Sequence, residues 1–550
     1  MAVILGLSAV WVAPLQAQTQ GVGCEGSVAL KAGRGGPCTE LAQKIAGMLE
    51  DPAVTRDHWG ISVVEMDGAP IYSLNEGQLF QPASNAKLFT TVAAMALLGP
   101  TATVKTTVQV NGVFTGKEYV KGSIYLVGGG DANLSGRAVP YALNSDEASS
   151  PLHYLDDMAA QIAASGLKTV DGDVIAIGDH FGNEPYPQGW SVDDLPWGYG
   201  APVSALSVND NQLKLTITPA VEVGSHAIIE VTPEIPYYTV TNDVMTVDRR
   251  SPTSIVVERK QGSKILRVYG GIALKGKPET DFISIEDPPE FAAIAFKQLL
   301  EQHGVIVTGS ARAEHVLLED ARSFRTISHE PLDLAKLKTM QKVESPGSMV
   351  CPDPCDAASL PRTGVAVEHT SPSLLEDVVL TNKSSLNLHA ELLLRRLGSR
   401  FVLDGESESG SFADGARVVR QFLIDVGVQG DDFVFYDGSG LSSYDLVTPR
   451  ATVRLLQYAA AQPWFADWKS SLPVGGVDGS LEGRFAKAPL KGRVFAKTGT
   501  LGEARALSGY VECAGGKTVI FSIMVGNHMP QTSTDRDVMD KIVGAIAAAN

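Results

Sequence analysis

Residues 86–98, Ala-Lys-Leu-Phe-Thr-Thr-Val-Ala-Ala-Met-Ala-Leu-Leu, are apolar nearly all round a helical wheel. A helix formed there must be buried on every side. Pro82 suits its first turn, and Gly99-Pro100 stops it. Ahead of it stand a short helix at 38–49 and a hairpin, with strand-like runs at 59–66 and 70–74 about an Asp67-Gly68 turn. From 101 to about 365 the pattern changes to short β-branched runs (104–113, 122–127, 170–177, 213–217, 227–231, 254–257, 265–269), interrupted by helical patterns at 153–164 and 289–303. Residues 338–360 read as a polar, irregular loop. Helical periodicity returns at 373–379, 388–397, 416–426 and 450–462. A meander at 493–496, 506–513 and 518–525 follows, then a last helix at 536–548. Helices between an early hairpin and a late meander imply one α+β domain built from both ends of the chain, with the middle inserted as α+β modules.

A chain of 550 residues exceeds one compact core. Hydrophobic residues at 44% and charged residues at 19% mark it as globular. The net charge of -17 argues against nucleic acid as a partner. Residues 1–17 form an uncharged apolar run ending in Leu15-Gln16-Ala17, as at a signal-peptidase site, although basic residues at the start are missing. Export is the expectation. The run is short for a membrane span and Pro14 interrupts it, and no later segment is long and apolar enough, so no integral span is expected in the mature protein. Among 5 cysteines, Cys24 with Cys38 and Cys351 with Cys355 are possible bridges in an oxidising compartment, and Cys513 remains as a free core thiol. The pairs lack a matching histidine cluster, and no metal or cofactor is implied.

Three motifs carry chemistry. Ser84-x-x-Lys87 opens the buried helix, where residues three apart share a face. A serine hydroxyl needs a neighbour to take its proton, and a lysine can do so once burial lowers its pKa. The pattern alone is weak: chance gives roughly two matches in such a chain, and Ser165-Gly166-Leu167-Lys168 is a second one at a helix end. Ser385-Leu386-Asn387 lies between helical runs, where Ser385 can relay a proton and Asn387 can bind a substrate amide and Lys87. Taken alone, Ser385 reads as a helix cap. Lys497-Thr498-Gly499-Thr500 is the most specific, expected by chance about once in ten such chains. On an edge strand, Lys497 and Thr498 can hold a carboxylate, and the Thr500 N–H can join that of Ser84 as an oxyanion hole.

The order and setting of this trio resemble serine β-lactamases and penicillin-binding proteins. More closely, the chain resembles the D-alanyl-D-alanine carboxypeptidase/endopeptidase family, the low-molecular-mass class C penicillin-binding proteins of peptidase family S13. Supporting stretches include 125–131, 200–206, 437–442 (Asp-Gly-Ser-Gly-Leu-Ser), 472–479 and 508–511. The resemblance implies a serine β-lactamase/transpeptidase-like domain, an antiparallel sheet flanked by helices, with inserted α+β domains. The divisions expected are 1–17 leader, 18–100 and 366–550 the two parts of that domain, and 101–365 the insertion. It also implies that Ser84 attacks the penultimate D-alanine carbonyl with Lys87 as base, and that Ser385 and Asn387 support proton transfer and orientation. Lys497 and Thr498 then hold the terminal carboxylate, and β-lactams acylate Ser84. The expected substrates are peptidoglycan stem peptides in the periplasm. Asp194, in Gly-Trp-Ser-Val-Asp-Asp at 189–194, matches an acid that recognises the diamino-acid side chain in some members. Ser443 stands where some relatives have arginine and Gly502 where some have glutamine, which leaves that selectivity open. The alternatives are a β-lactamase or esterase on the same scaffold, or a wall-binding protein without turnover. His389, beside Asn387, reads as a structural histidine.

Overall fold

A computed structural model describes residues 39–143, 148–318, 320–341, 362–401, 410–529 and 532–550. The expected leader at 1–17 and the cysteines Cys24, Cys38, Cys351 and Cys355 lie outside the described residues. Helix Leu334–Gln341 takes up the start of the segment read as a loop from 338, and the remainder of it falls outside the described residues.

The two chain ends meet in a five-stranded antiparallel sheet, ordered Val494–Leu501, Ala504–Glu512, Thr518–Gly526, His58–Glu65, Pro70–Leu74. Strand side chains alternate between faces, and here both faces are apolar. Leu507, Val511, Val519, Phe521 and Ile523 turn to one side and pack with helices Glu40–Leu49 and Thr534–Ala549. Ala506, Tyr510, Ile520 and Met524 turn to the other, towards the apolar helix Ala86–Leu97. That helix is enclosed as its composition demands: Leu88, Phe89 and Val92 are buried against Leu392 and Leu393 of helix Asn387–Phe401, Val419 of Phe412–Asp425 and Leu455 of Pro449–Ala460. These covering helices come from hundreds of residues downstream, so the layer between sheet and solvent is assembled only when the two ends meet.

The middle of the chain forms separate sheets. Lys105–Thr115, Tyr119–Val127, Thr169–Asp171, Val174–Ile177, Ile306–Val307, Ala311–Glu314 and Arg362–Thr370 make a seven-stranded sheet, packed under helices His153–Ala164 and Pro288–Gln302. Two three-stranded sheets follow: Gln212–Thr218 between Ile228–Thr232 and Glu279–Ser284, and Ile265–Ala273 between Ser254–Glu258 and Thr239–Val247. Phe324, Ile327 and Leu334, from helices Phe324–His329 and Leu334–Gln341, instead join the core around the buried helix. Cys513 is buried with a free thiol, as its apolar setting suggested.

Candidate active site

Ser84 sits in the single turn Ala83–Asn85 that runs directly into helix Ala86–Leu97. One turn on, the fully buried Lys87 Nζ lies 3.0 Å from Ser84 Oγ. It also donates to Asn387 Oδ1 at 2.6 Å and to the Ser439 carbonyl at 2.8 Å. Burial pulls the Lys87 amine down to about 8, although the Asp437 and Glu391 carboxyls oppose the shift. A neutral amine has two N–H groups and one lone pair. With Asn387 and Ser439 accepting the two hydrogens, the lone pair faces the Ser84 hydroxyl, which is the geometry of a general base.

The second motif forms a tight corner. Helix Leu374–Lys383 ends, Ser385 takes a left-handed conformation (φ 57), and helix Asn387–Phe401 begins. Lys383, the last residue of the first helix, pins this corner by donating to both carboxylate oxygens of Asp478 at 2.7 Å and to the Leu472 carbonyl at 2.7 Å. Asn387 Nδ2 donates to the Tyr199 carbonyl at 2.8 Å, which leaves its oxygen for Lys87.

The third motif lies inside strand Val494–Leu501, on the open edge of the sheet, and not at the end of a shorter strand as its first residues suggested. Lys497 is fully buried and donates to Ser385 Oγ at 2.8 Å and to the Thr498 carbonyl at 3.2 Å. Burial, with Lys87 nearby, holds its amine well below the usual lysine range. Thr498 Oγ1 lies 2.7 Å from Ser480 Oγ. The Val494 carbonyl accepts from Gly475 N–H at 2.8 Å and Ala496 N–H donates to Pro473 at 3.1 Å, both on the side away from the partner strand. Alternation by two then turns the Thr498 and Thr500 N–H groups towards the same open edge. Asn85 Nδ2 donates to the Lys497 carbonyl at 3.0 Å and so ties the nucleophile turn to this strand. Gly499 permits the approach: a Cβ there would stand 2.6 Å from the Pro82 carbonyl oxygen.

A loop at 437–442 supports the base from beneath. Glu391 accepts from Gly438 and Ser439 N–H at 2.9 and 2.8 Å, and Asp437 accepts from Gly440 and Ser442 N–H at 2.7 Å each. These bonds aim the Ser439 carbonyl at Lys87. Burial and the neighbouring Asp437 push Glu391 up to about 8 and hold Asp445 well above the carboxylate range. Ala83 is held at φ 46, and its carbonyl oxygen would lie 1.8 Å from a Cβ on Gly440. Only glycine lets this loop press on the strained residue that precedes the nucleophile.

Two hydrogen-bonded sets, Ser84–Lys87–Asn387 and Ser385–Lys497–Thr498, thus stand side by side though far apart in sequence, and Asn85, the residue after the nucleophile, ties the second set to the turn that carries the first. Thr500 lies on the same strand edge and is exposed. Asp194 stands further out and reaches the cluster through Tyr199, whose hydroxyl donates to it at 2.9 Å. Ser443 Oγ donates to the Gly189 carbonyl at 3.1 Å, and Gly502 occupies the hairpin turn with φ 47. In the second Ser-x-x-Lys match, the Ser165 hydroxyl closes its own helix on the Ile162 carbonyl at 2.7 Å.

The sequence matches the D-Ala-D-Ala carboxypeptidase 3 (S13) family over residues 41–345 and 355–549. The chain belongs to this family. It is 32% identical over 514 residues to the D-alanyl-D-alanine carboxypeptidase of Actinomadura sp. strain R39, covering 91% of this chain and 84% of that one. It is 23% identical over 454 residues to the D-alanyl-D-alanine carboxypeptidase DacB of Haemophilus influenzae, covering 82% of this chain and 81% of the relative. The crystal structure of penicillin binding protein 4 (dacB) from Haemophilus influenzae superposes with a TM-score of 0.71 at 20% identity, over 91% of this chain and 98% of that one. The fold is therefore that of an α+β transpeptidase-like enzyme with extra domains.

Reading motifs alone missed Asn85, Glu391, Ser439 and Ser480. Glu391 had a local signal, since it lies one turn after Asn387 on the same helix. The other three act through a backbone carbonyl or a single contact across the fold, and neither leaves a pattern in sequence.

Proposed function

We propose that this S13 peptidase hydrolyses D-alanyl peptide bonds of peptidoglycan stem peptides through an acyl-enzyme at Ser84. Ser84 Oγ attacks the carbonyl carbon of the penultimate D-alanine while Lys87 takes its proton. The oxyanion sits between the Ser84 and Thr500 N–H groups. As the C–N bond breaks, Ser385, hydrogen-bonded to Lys497, relays to the departing amine the proton that Lys87 took, and water then hydrolyses the ester with Lys87 again free to act as base. Asn387 orients the substrate amide, and Lys497 and Thr498 hold the terminal carboxylate. Asp194 recognises a side chain further out. β-Lactams acylate the same hydroxyl. The carrying observation is the buried Lys87 amine, hydrogen-bonded so that its lone pair faces Ser84.

The same reading makes 18–100 and 366–550 the catalytic unit and 101–365 an insertion. The sheet that takes all of its strands from the two chain ends supports that division. Among the described residues no helix is long and apolar enough to cross a membrane, and the apolar run at 1–17 supports export to the periplasm. The test is D-alanine release from a stem pentapeptide, together with intact mass after penicillin treatment. Wild type gains one penicillin on the peptide containing Ser84, and Ser84→Ala neither gains mass nor releases D-alanine. Unchanged release by Ser84→Ala overturns the assignment. Rapid turnover of a chromogenic cephalosporin after the first equivalent favours a β-lactamase instead.

A further inference from the structure

An opening of about 240 Å³ lies between helix Phe324–His329, helix Phe412–Asp425 and residues 433–436. None of the residues gathered around Ser84 lines it. Its walls are aromatic. Phe324 and Phe433 are buried; Phe324 stacks on Tyr436 with ring centres 4.6 Å apart, and Phe433 stacks on Phe435 at 5.9 Å. Its rim is basic. Residues four apart on a helix share a face, so Arg325 and His329 turn to the opening from one helix, and Ala416 and Arg420 from the other. Burial, then the Arg420 guanidinium, hold the His329 imidazole below its ordinary value; the Arg325 charge adds to this, opposed by a hydrogen bond to the Arg325 carbonyl. The three groups therefore converge on one mouth. Among the described residues no acid lines the opening, and neither Arg325 nor Arg420 is in an ion pair. Glu330, the next acid along the chain, is already shared by Arg322 at 2.7 Å and Arg417 at 3.6 Å. Arg420 is held in place: its Nη1 donates to the Gly430 carbonyl at 3.1 Å, and the guanidinium lies 5.5 Å from the centre of the Phe433 ring.

We infer that this opening is a binding site for a small organic anion with a flat apolar body, separate from the catalytic pocket. The ring lies against the aromatic walls, and the acidic group meets Arg325, Arg420 and His329 at the mouth. A cavity of about 150 Å³ holds one benzene, so this one has room for a single ring and its acidic group. A bare inorganic anion would meet only the wet rim, where charge is screened. A neutral ring would leave two guanidinium groups without a counter-charge. A ligand with both parts buries apolar surface against the rings and takes charge-assisted hydrogen bonds from the guanidinium forks.

The experiment uses three probes on the full chain, read by isothermal titration calorimetry: benzenesulfonate, which has ring and charge, benzenesulfonamide, which has the ring alone, and sulfate, which has the charge alone. Benzenesulfonate is expected to bind about tenfold or more tightly than either of the others. Arg325→Gln with Arg420→Gln removes the rim charge, and Ala416→Leu fills the floor; each should weaken benzenesulfonate about tenfold or more. Thermal melting at the wild-type temperature shows that a variant is folded, and should Ala416→Leu fail to fold, the rim variant decides alone. Prior treatment with penicillin should leave the binding unchanged, because the site is separate from Ser84. Equal affinity for benzenesulfonate and benzenesulfonamide, or for benzenesulfonate and sulfate, overturns the proposal. So does unchanged binding in the folded variants, or loss of binding after penicillin treatment.

Discussion

If Lys87 is the base, the rate of acylation follows the fraction of its amine that is unprotonated. At the value of about 8 that burial imposes, about one-tenth of the amine is free at pH 7, whereas an ordinary lysine leaves about three parts in ten thousand. The fold therefore supplies about 300 times more base at neutral pH, equivalent to about 3 kcal/mol. The perturbation is pH itself. Between pH 6 and pH 9 the free fraction rises by about two orders of magnitude and then levels. Stopped-flow acylation of Ser84 by a chromogenic cephalosporin, at saturating buffer and constant ionic strength, reads this directly. A single inflection near pH 8 is expected, and Lys87→Ala should lie below the wild-type curve at every pH by about 100-fold or more. A rate that is flat from pH 6 to pH 9, or one still climbing about tenfold per unit from pH 8 to pH 9.5, refutes the reasoning, because the first removes the base and the second removes the burial effect.

Other expectations follow from the same contacts. Burial lowers the His389 imidazole, but Asp377 and Asp210 outweigh it and raise it to about 9. Its ion pairs therefore add stability that is complete below pH 6.5 and is lost as pH rises through 9. The gap in urea-unfolding free energy between wild type and Asp210→Asn should narrow by an amount on the order of 2 kcal/mol between pH 6 and pH 9.5, and a gap independent of pH counts against the pairing. Lys87 acts with the opposite sign. Its lowered value means the unfolded chain binds more protons between pH 8 and pH 10.5, so this residue makes stability rise with pH across that window. Lys87→Ala should lose that rise in the same unfolding titration. Gly440→Ala places a Cβ against Ala83 in a left-handed conformation (φ 80). It should cost about 1–3 kcal/mol and slow acylation, measured by thermal melting beside penicillin binding. Lys383→Met strips the buried partner from Asp478. A loss of about 3 kcal/mol and slower acylation are expected, since the helix it ends leads into Ser385.

The chemistry was legible in short stretches because it depends on residue type at fixed local spacing. Ser84 and Lys87 sit one turn apart on a helix whose burial could be read from its own composition, and the left-handed Ser385 occupies the turn that two flanking helical patterns left open. The strand carrying Lys497 was readable by type, but its true length was not. Its first residues, Val494-Phe495-Ala496, form an apolar run, whereas the Lys-Thr-Gly-Thr end is held in the strand by pairing with Arg505–Ser508. The helices at Phe324 and Leu334 were illegible as part of the core around Lys87, because their few apolar residues gain a face only from helix Phe412–Asp425 and its neighbours.

What the sequence determined by itself was local: which segments bury apolar faces, where chain direction reverses, and which side chains can act as nucleophile, base or carboxylate ligand. Tertiary structure alone decided that Ser439 and Asn387 take the hydrogens of Lys87 and that a cleft opens behind Ser385. The physical reason is that desolvation and hydrogen-bond direction are properties of the space around a group. That space is enclosed here by segments hundreds of residues away, whose approach no local pattern encodes.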